Sequence, residues 1–414
     1  MHFFSLAGYN LAIRLYGFVV WLAALINPKA KKWIDGRKHW QCMIEDVEWP
    51  AGKRVWFHCA SLGEFEQARP LIEKCKNDGH VIIISFFSPS GYEVQRNTTL
   101  AHCVTYLPLD TAANAAFFID AVKPDLVFFT KYDFWFHFLQ TLNLRSIPTI
   151  LFSANFRKNQ IFFKWYGNFF KEMLKCFNLI FVQNESSKKL LNEIGVDSIV
   201  THDTRFDRVY QIMQQRQGNP VMELFRGNNR ILIAGSTWPN DEALLLEWIN
   251  NSCFKNYKFI IAPHDVDPIR IQELIVKMTL PTVKLSALNA DNASSVRVII
   301  VDSMGHLSSL YIYGSVAYVG GGFNAGIHNI LEAAVYGLPI IFGPNHMKSQ
   351  EAIDLLQLNA AYSIYDSHSF GTCLDNLTSN ESTLEKAGVI AKRYVEDRIG
   401  GTDFIYASTQ NYIR

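Results

Sequence analysis

The chain has almost no net charge. Its 39 Lys and Arg offset 38 Asp and Glu, leaving a formal +1 over 414 residues. That balance makes no electrostatic case for a nucleic-acid partner. None of its seven cysteines forms a Cys-x-x-Cys pair, and no His/Cys cluster has zinc spacing. An odd, scattered set of thiols reads as reduced and cytosolic, which argues against a disulfide framework or a structural zinc site. No Lys or Arg precedes the first apolar run, so the start of the chain does not read as a secretory signal. Internal repeats and low-complexity tracts are also missing. At 19% charged residues, the chain reads as folded protein and not as disorder.

Apolar and aromatic residues are plentiful, at 49% and 14% with 30 Phe. A chain this long exceeds one ordinary core, so two domains are expected. Leu6–Ile26 is mostly apolar, interrupted by Asn10, Arg14 and Gly17. Its unbroken part, Leu15–Ile26, is short against the roughly 20 residues of a full span. Lys29, Lys31, Lys32, Arg37 and Lys38 follow it, which assigns that side to the cytoplasm. A marginal span or an interfacial anchor fits, and the alternative is an amphipathic helix packed on the protein itself. Membrane contact is the expectation.

Strands are predicted at Val55–Cys59, Val81–Phe87, Leu126–Thr130, Thr149–Ser153 and Leu179–Val182, with helical patterns between them. A second series follows at Ile231–Ala234, Lys258–Ala262 and Val298–Val301. Alternating strands and helices point to doubly wound α/β domains, with ligand loops at the strand C-termini. The polar, Gly-containing segment Gln214–Asn229 reads as a linker, and Glu385–Arg414 as helical. The expected division is an anchor at 1–28, domains at 40–213 and 230–384, and C-terminal helices at 385–414 that return to the first domain.

The most informative stretch is Val316–Pro344. An apolar run ends in Gly320, Gly321 and Gly322, and a helix is predicted from His328 to Tyr336, stopped by Gly337. A further apolar strand begins at Leu338. The glycines allow close backbone approach to a ligand at a helix N-terminus, where unpaired N–H groups favour an anion. His328 and Glu332, four apart, would share one helix face. Glu332 can accept two ribose hydroxyls, so the pattern suits a nucleotide.

Other strand ends carry candidate chemistry. Glu64 in Ser61-Leu62-Gly63-Glu64 is a candidate general base, and equally the fourth residue of a capping box. Ser236 and Thr237 suit a phosphate or sugar carboxylate, or serve as ordinary caps. Pro263-His264 and Asp302-Ser303-Met304-Gly305-His306 lie at two more strand ends. Lys131-Tyr132-Asp133 reads as a local ion pair among aromatics. Between Asn155 and Lys175, basic residues including Arg157 and Lys164 alternate with aromatics. That pattern fits either an anionic lipid headgroup or a helix with a buried aromatic face.

In order along the chain, Ser61-Leu62-Gly63-Glu64, Ser88-Pro89-Ser90-Gly91, Ala234-Gly235-Ser236-Thr237, Asp302-Ser303-Met304-Gly305 and Gly320–Glu332 resemble the 3-deoxy-D-manno-octulosonic acid (Kdo) transferases of lipopolysaccharide biosynthesis. The resemblance implies the GT-B glycosyltransferase architecture, with two Rossmann-like domains facing a cleft and an N-terminal anchor helix. It implies inverting, metal-independent transfer of Kdo from CMP-Kdo to a lipid A precursor at the cytoplasmic face of the inner membrane. No cofactor beyond that donor substrate is implied. It makes Glu64 the base. It assigns CMP to Pro263, His264, Met304, Gly305, His306, Asn329, Ile330, Leu331 and Glu332, and the strand-end readings add Ser236, Thr237, Asp302, Gly321, Gly322 and His328 to the donor site. Ser88, Ser90 and Gly91, with Arg157 and Lys164 of the basic aromatic run, are assigned to the acceptor. Three departures stand out. Pro263 occupies an arginine position, His306 a glutamate position, and Lys131-Tyr132-Asp133-Phe134-Trp135-Phe136 the place of Glu-Thr-Glu-Leu-Trp-Pro. The rival reading is another GT-B enzyme handling a UDP-sugar, such as a UDP-GlcNAc 2-epimerase.

Overall fold

A computed structural model describes residues 2–251 and 257–413. Two compact units divide the chain, Met1–Arg208 with Ile399–Arg414, and Val209–Arg398.

The first unit is built on a seven-stranded sheet. Its strands are β1 (Arg54–Cys59), β2 (Val81–Phe86), β3 (Cys103–Tyr106), β4 (Leu126–Thr130), β5 (Thr149–Ala154), β6 (Leu179–Val182) and β7 (Ile199–Val200). Their order is β3-β2-β1-β4-β5-β6-β7, and every pairing is parallel. The inner strands are continuous apolar runs because both faces are covered. The chain reverses its direction of winding between β1 and β4. Ligands of open α/β sheets bind beyond the strand carboxyl ends at such a point.

The second unit repeats the plan. Its strands are β8 (Arg230–Thr237), β9 (Tyr257–Pro263), β10 (Thr282–Lys284), β11 (Val298–Ile300), β12 (Val316–Val319), β13 (Ile340–Phe342) and β14 (Ala361–Ser363). The order is β10-β11-β9-β8-β12-β13-β14, all parallel, with the switch between β8 and β12.

The observed boundaries differ from those read in the sequence. Gln214–Asn229 is not a bare linker. It holds the Pro220–Arg226 helix, capped by the Asn219 side chain, and that helix buries Met222 and Phe225 within the second unit. The Glu381–Glu396 helix also stays in the second unit, with Leu384, Ala391 and Val395 buried. Only the chain from Ile399 onward belongs to the first unit. There the Gly401–Thr409 helix packs on the Leu62–Asn77 helix, through a Lys74–Asp403 ion pair and a hydrogen bond from the Tyr406 hydroxyl to Asp78. Asp207 secures its start by accepting from Thr402 N–H (2.7 Å) and the Thr402 hydroxyl (2.6 Å).

The N-terminal helix, His2–Ala23, is docked along one face of the first unit. The Tyr9 hydroxyl donates to buried Asp110 (2.5 Å) and accepts from Phe136 N–H. Asn10 Oδ1 lies 2.6 Å from His137 Nε2, and the Tyr16 ring packs on Trp33 and Phe87. The other face is apolar and open, with Leu11, Leu15, Phe18, Val19, Trp21 and Leu22 exposed. The Leu6–Ala23 stretch has a mean hydropathy of 1.3 and meets the length for a membrane span, yet only 6% of it is buried. In the Asn155–Lys175 run, Phe156, Phe162 and Phe169 go into the core while Trp165 and Tyr166 are exposed.

Candidate active site

Glu64 sits one turn into the Leu62–Asn77 helix, which starts immediately beyond β1. Only Ala60 and Ser61 are needed to turn the chain from β1 into this helix. The expected capping box forms in altered form. Ser61 makes no side-chain cap bond, and Glu64 Oε2 instead accepts from Ala60 N–H at 2.5 Å. Burial pushes the Glu64 carboxyl up to about 7, with the Asp133 carboxylate adding to the rise. The Ala60 N–H, His58 and Lys131 oppose it.

Asp133 lies just past β4, on the other side of the switch point from Glu64. Its Oδ2 lies 2.6 Å from His58 Nε2. His58 is fully buried in β1, and its Nδ1 lies 2.8 Å from Ser85 Oγ, which also accepts from Trp56 Nε1 at 2.8 Å. An indole nitrogen only donates, so Trp56 N–H donates to Ser85 Oγ, and a carboxylate only accepts, so His58 Nε2–H donates to Asp133. Lys131, in left-handed conformation at φ 62°, turns the chain out of β4 toward this loop.

The assigned acceptor residues are committed to local structure. Ser88 Oγ caps the Pro89–Gln95 helix and lies 2.6 Å from Ser90 Oγ. A side chain at Gly91 would meet the Phe86 ring at 2.3 Å, so packing requires glycine there. Arg157 is exposed and Lys164 half-buried.

In the second unit the glycine turn leaves β12 at the switch point. The predicted helix from His328 to Tyr336 is a single turn, Leu331–Ala334. His328 and Asn329 precede it outside any helix or strand, so His328 and Glu332 do not share a helix face. Ile330 and Leu331 are buried core residues, and Asn329 Nδ2 donates to Glu332 Oε1 at 3.1 Å. The glycines answer to the protein's own packing. Gly321 has φ 92°, and a Cβ there would lie 2.4 Å from Gly326 O. At Gly322 it would lie 2.6 Å from the Gly343 backbone.

Asp241, fully buried in the first turn of the Pro239–Asn251 helix, ties this corner together. It accepts from Gly321 N–H (2.9 Å), Trp238 N–H (2.9 Å) and the Tyr318 hydroxyl (2.6 Å). Ser236 and Thr237 are the end of β8, not a helix start. A bulge with Ser236 at φ 53° turns Thr237 inward, where its hydroxyl bonds Glu242 (3.1 Å). Thr237 is therefore used internally, while Ser236 stays partly open.

Three rings meet beyond β8, β9 and β12. His264 stacks on Trp238 at 4.7 Å and on His328 at 4.6 Å, and Trp238 Nε1 donates to His328 Nε2 at 2.8 Å. Burial, then His264, lowers the His328 pKa. Pro263 ends β9 beneath this layer. Asp302 caps no helix and instead accepts from Ser286 N–H at 3.1 Å. Its loop continues to exposed Met304, Gly305 and His306. Ser286, Ser303 and His306 line a pocket of about 470 Å³ beside Gln217 and Tyr313.

Sequence reasoning missed His58, Trp238 and Asp241, and the contact of His58 with Asp133. One signal was available: a histidine and a tryptophan interrupt or end otherwise apolar strands. Among the described residues no group of three or more His, Cys, Asp or Glu side chains is arranged to hold a metal.

Two doubly wound parallel sheets, each carrying polar groups at its switch point, give this chain the GT-B architecture. Residues 35–208 match the family model described as 3-deoxy-D-manno-octulosonic-acid transferase (kdotransferase). A 3-deoxy-D-manno-octulosonic acid transferase of Rickettsia prowazekii is 28% identical, covering 80% of this chain and 73% of the relative. One from Aquifex aeolicus is 26% identical, covering 83% and 92%. Over most of its length the chain is therefore similar to Kdo transferases. Among solved structures, a UDP-GlcNAc 2-epimerase from Neisseria meningitidis bound to UDP-GlcNAc matches with a TM-score of 0.59 at 16% identity, over 86% of this chain and 99% of its own. That likeness concerns the fold alone and does not favour the epimerase reading.

Proposed function

We propose that this protein transfers Kdo from CMP-Kdo to a lipid A precursor, with inversion and without a catalytic metal, at the cytoplasmic face of the inner membrane. The observation that carries the reading is Glu64, a half-buried carboxylate at a switch point whose pKa is raised to about 7. A general base works best when its pKa lies near the working pH. Glu64 removes the proton from the attacking sugar hydroxyl as that oxygen bonds the anomeric carbon. The bond from that carbon to the phosphate oxygen breaks, and its electron pair leaves with CMP. The second unit binds the donor. Glu332 and Asn329 take the ribose, His328 and Ser236 face the phosphate, and the pocket at Ser303 and His306 receives the base. Preset donors stabilise charge on the departing phosphate at no reorganisation cost.

The membrane part of the proposal rests on the open apolar face of the N-terminal helix, and on exposed Trp165 and Tyr166 beside Lys164. An apolar stripe with an aromatic and basic flank suits a helix lying in the interface. The polar ties of Tyr9 and Asn10 to Asp110 and His137 keep the inner face on the protein.

The test is a transfer assay with the purified full chain, CMP-Kdo and a tetraacylated lipid A precursor, repeated with chelator. Product mass identifies the reaction and counts the sugars added. Hydrolysis or epimerisation of a UDP-sugar in place of Kdo transfer would overturn the reading.

A further inference from the structure

Trp238, His264 and His328 arrive from three strand ends of one sheet and form one aromatic layer. The Trp238 and His328 planes differ by 7°, with centroids 6.4 Å apart. Nearly parallel rings at that separation can meet edge to edge, and here they do, through the 2.8 Å bond from Trp238 Nε1 to His328 Nε2. His264 lies across the pair, 17° from one plane and 24° from the other.

This bond has a chemical consequence. An indole nitrogen is a donor only, so His328 Nε2 must offer a lone pair. A neutral imidazole with its lone pair on Nε2 carries its hydrogen on Nδ1. An imidazolium has no lone pair and cannot accept this bond. The half-buried position of His328 and the facing His264 also disfavour the charged ring, against the opposing pull of Asp241.

We propose that Trp238 is a positioning residue that holds His328 in the neutral Nδ1–H form, so that His328 presents one directed N–H to the donor's phosphate. This rests on reading the second unit as the CMP-Kdo site. A free imidazole divides its hydrogen between two nitrogens, and a donor present only part of the time stabilises a departing phosphate less than a fixed one. Trp238 removes that division without touching the ligand.

The experiment uses the full chain labelled with ¹⁵N at histidine, and His328→Asn identifies the His328 signals by their loss. In the wild type, correlation spectra are expected to give an unprotonated Nε2 and a protonated Nδ1. Trp238→Phe keeps an aromatic ring against His264 and removes the N–H, and it is expected to restore hydrogen at Nε2. CMP affinity, measured by calorimetry, should fall about tenfold in Trp238→Phe, the effect of losing one hydrogen bond to a charged group. Asn at position 328 carries an amide N–H with no tautomer to choose. Adding Trp238→Phe to His328→Asn should therefore cost less than about twofold, a coupling that independent sites would not give. A wild-type Nε2–H signal overturns the proposal. Equal losses from Trp238→Phe in both backgrounds also overturn it, reducing Trp238 to packing. A wild type that shows the Nδ1–H form but binds no CMP overturns the donor assignment instead, and leaves the tautomer control standing.

Discussion

His58 Nε2 lies 2.6 Å from Asp133 Oδ2, and the imidazole is fully buried. The contact joins the end of β1 to the loop after β4, across the switch point of the first sheet. It holds the Asp133 carboxylate where its charge acts on Glu64. A buried residue with no access to substrate thereby sets the surroundings of the proposed base.

Glu64→Gln should lower transfer about 100- to 10,000-fold while the chain still folds. Wild-type kcat/KM should rise with pH through about 7, where Glu64 loses its proton. The stability effect has the opposite sense. A carboxyl whose folded pKa is raised stabilises the fold below its unfolded pKa, and that contribution is lost as pH rises through the folded value. Glu64→Gln should therefore melt above the wild type near pH 8 and level with it near pH 4. A variant with near wild-type turnover would leave Glu64 as a tie to Ala60 and nothing more.

Asp133→Asn tests the neighbour. The groups acting on Glu64 are Asp133, which raises its pKa, and His58, Lys131 and the Ala60 N–H, which lower it. Asn keeps an acceptor for His58 Nε2–H and removes the charge. The rising limb of kcat/KM should move to lower pH, and the plateau should drop by roughly tenfold as the base weakens. An unmoved limb in the pH profile would detach Asp133 from Glu64.

Arg37→Ala should destabilise the first unit by roughly 2–4 kcal/mol, since it leaves carbonyl oxygens unpaired. The guanidinium donates to the carbonyls of Leu107, Trp33 and Phe87 and lies over the Trp33 and Tyr106 rings. Burial lowers its pKa to about 9. Denaturant unfolding measures the loss. A change within about 0.5 kcal/mol, the range of an ordinary surface site, would contradict this account.

Phe18→Glu and Leu22→Glu should release the chain from lipid vesicles without unfolding it, because both side chains are exposed on the open face of the N-terminal helix. Each apolar side chain inserted contributes about 1.5–3 kcal/mol, so each substitution should weaken binding about tenfold or more. Point changes are a cleaner test than deleting residues 1–28, which would strip Asp110 of the Tyr9 hydroxyl. Undiminished co-sedimentation would move the anchor to another surface.

The ten inner strands, the two α/β units and the likeness to Kdo transferases were legible from the sequence. Continuous apolar runs and strand-end glycines are local signals, because a parallel strand buried on both faces must be apolar throughout. The four missed strands, β3, β7, β10 and β14, are the four edges of the two sheets. They are two to four residues long, and only their neighbours make them strands. Glu64 was visible as a candidate because helix capping and catalysis draw on the same local pattern. What the tertiary structure decided is which distant groups meet. Asp133 meets His58, 75 residues away, and Trp238 meets His328, 90 residues on. Thr237 and the glycines were drawn into the protein's own contacts. Periodicity along a chain reports burial, whereas a hydrogen bond between two strand ends depends on the order of strands in the sheet, which no local pattern encodes.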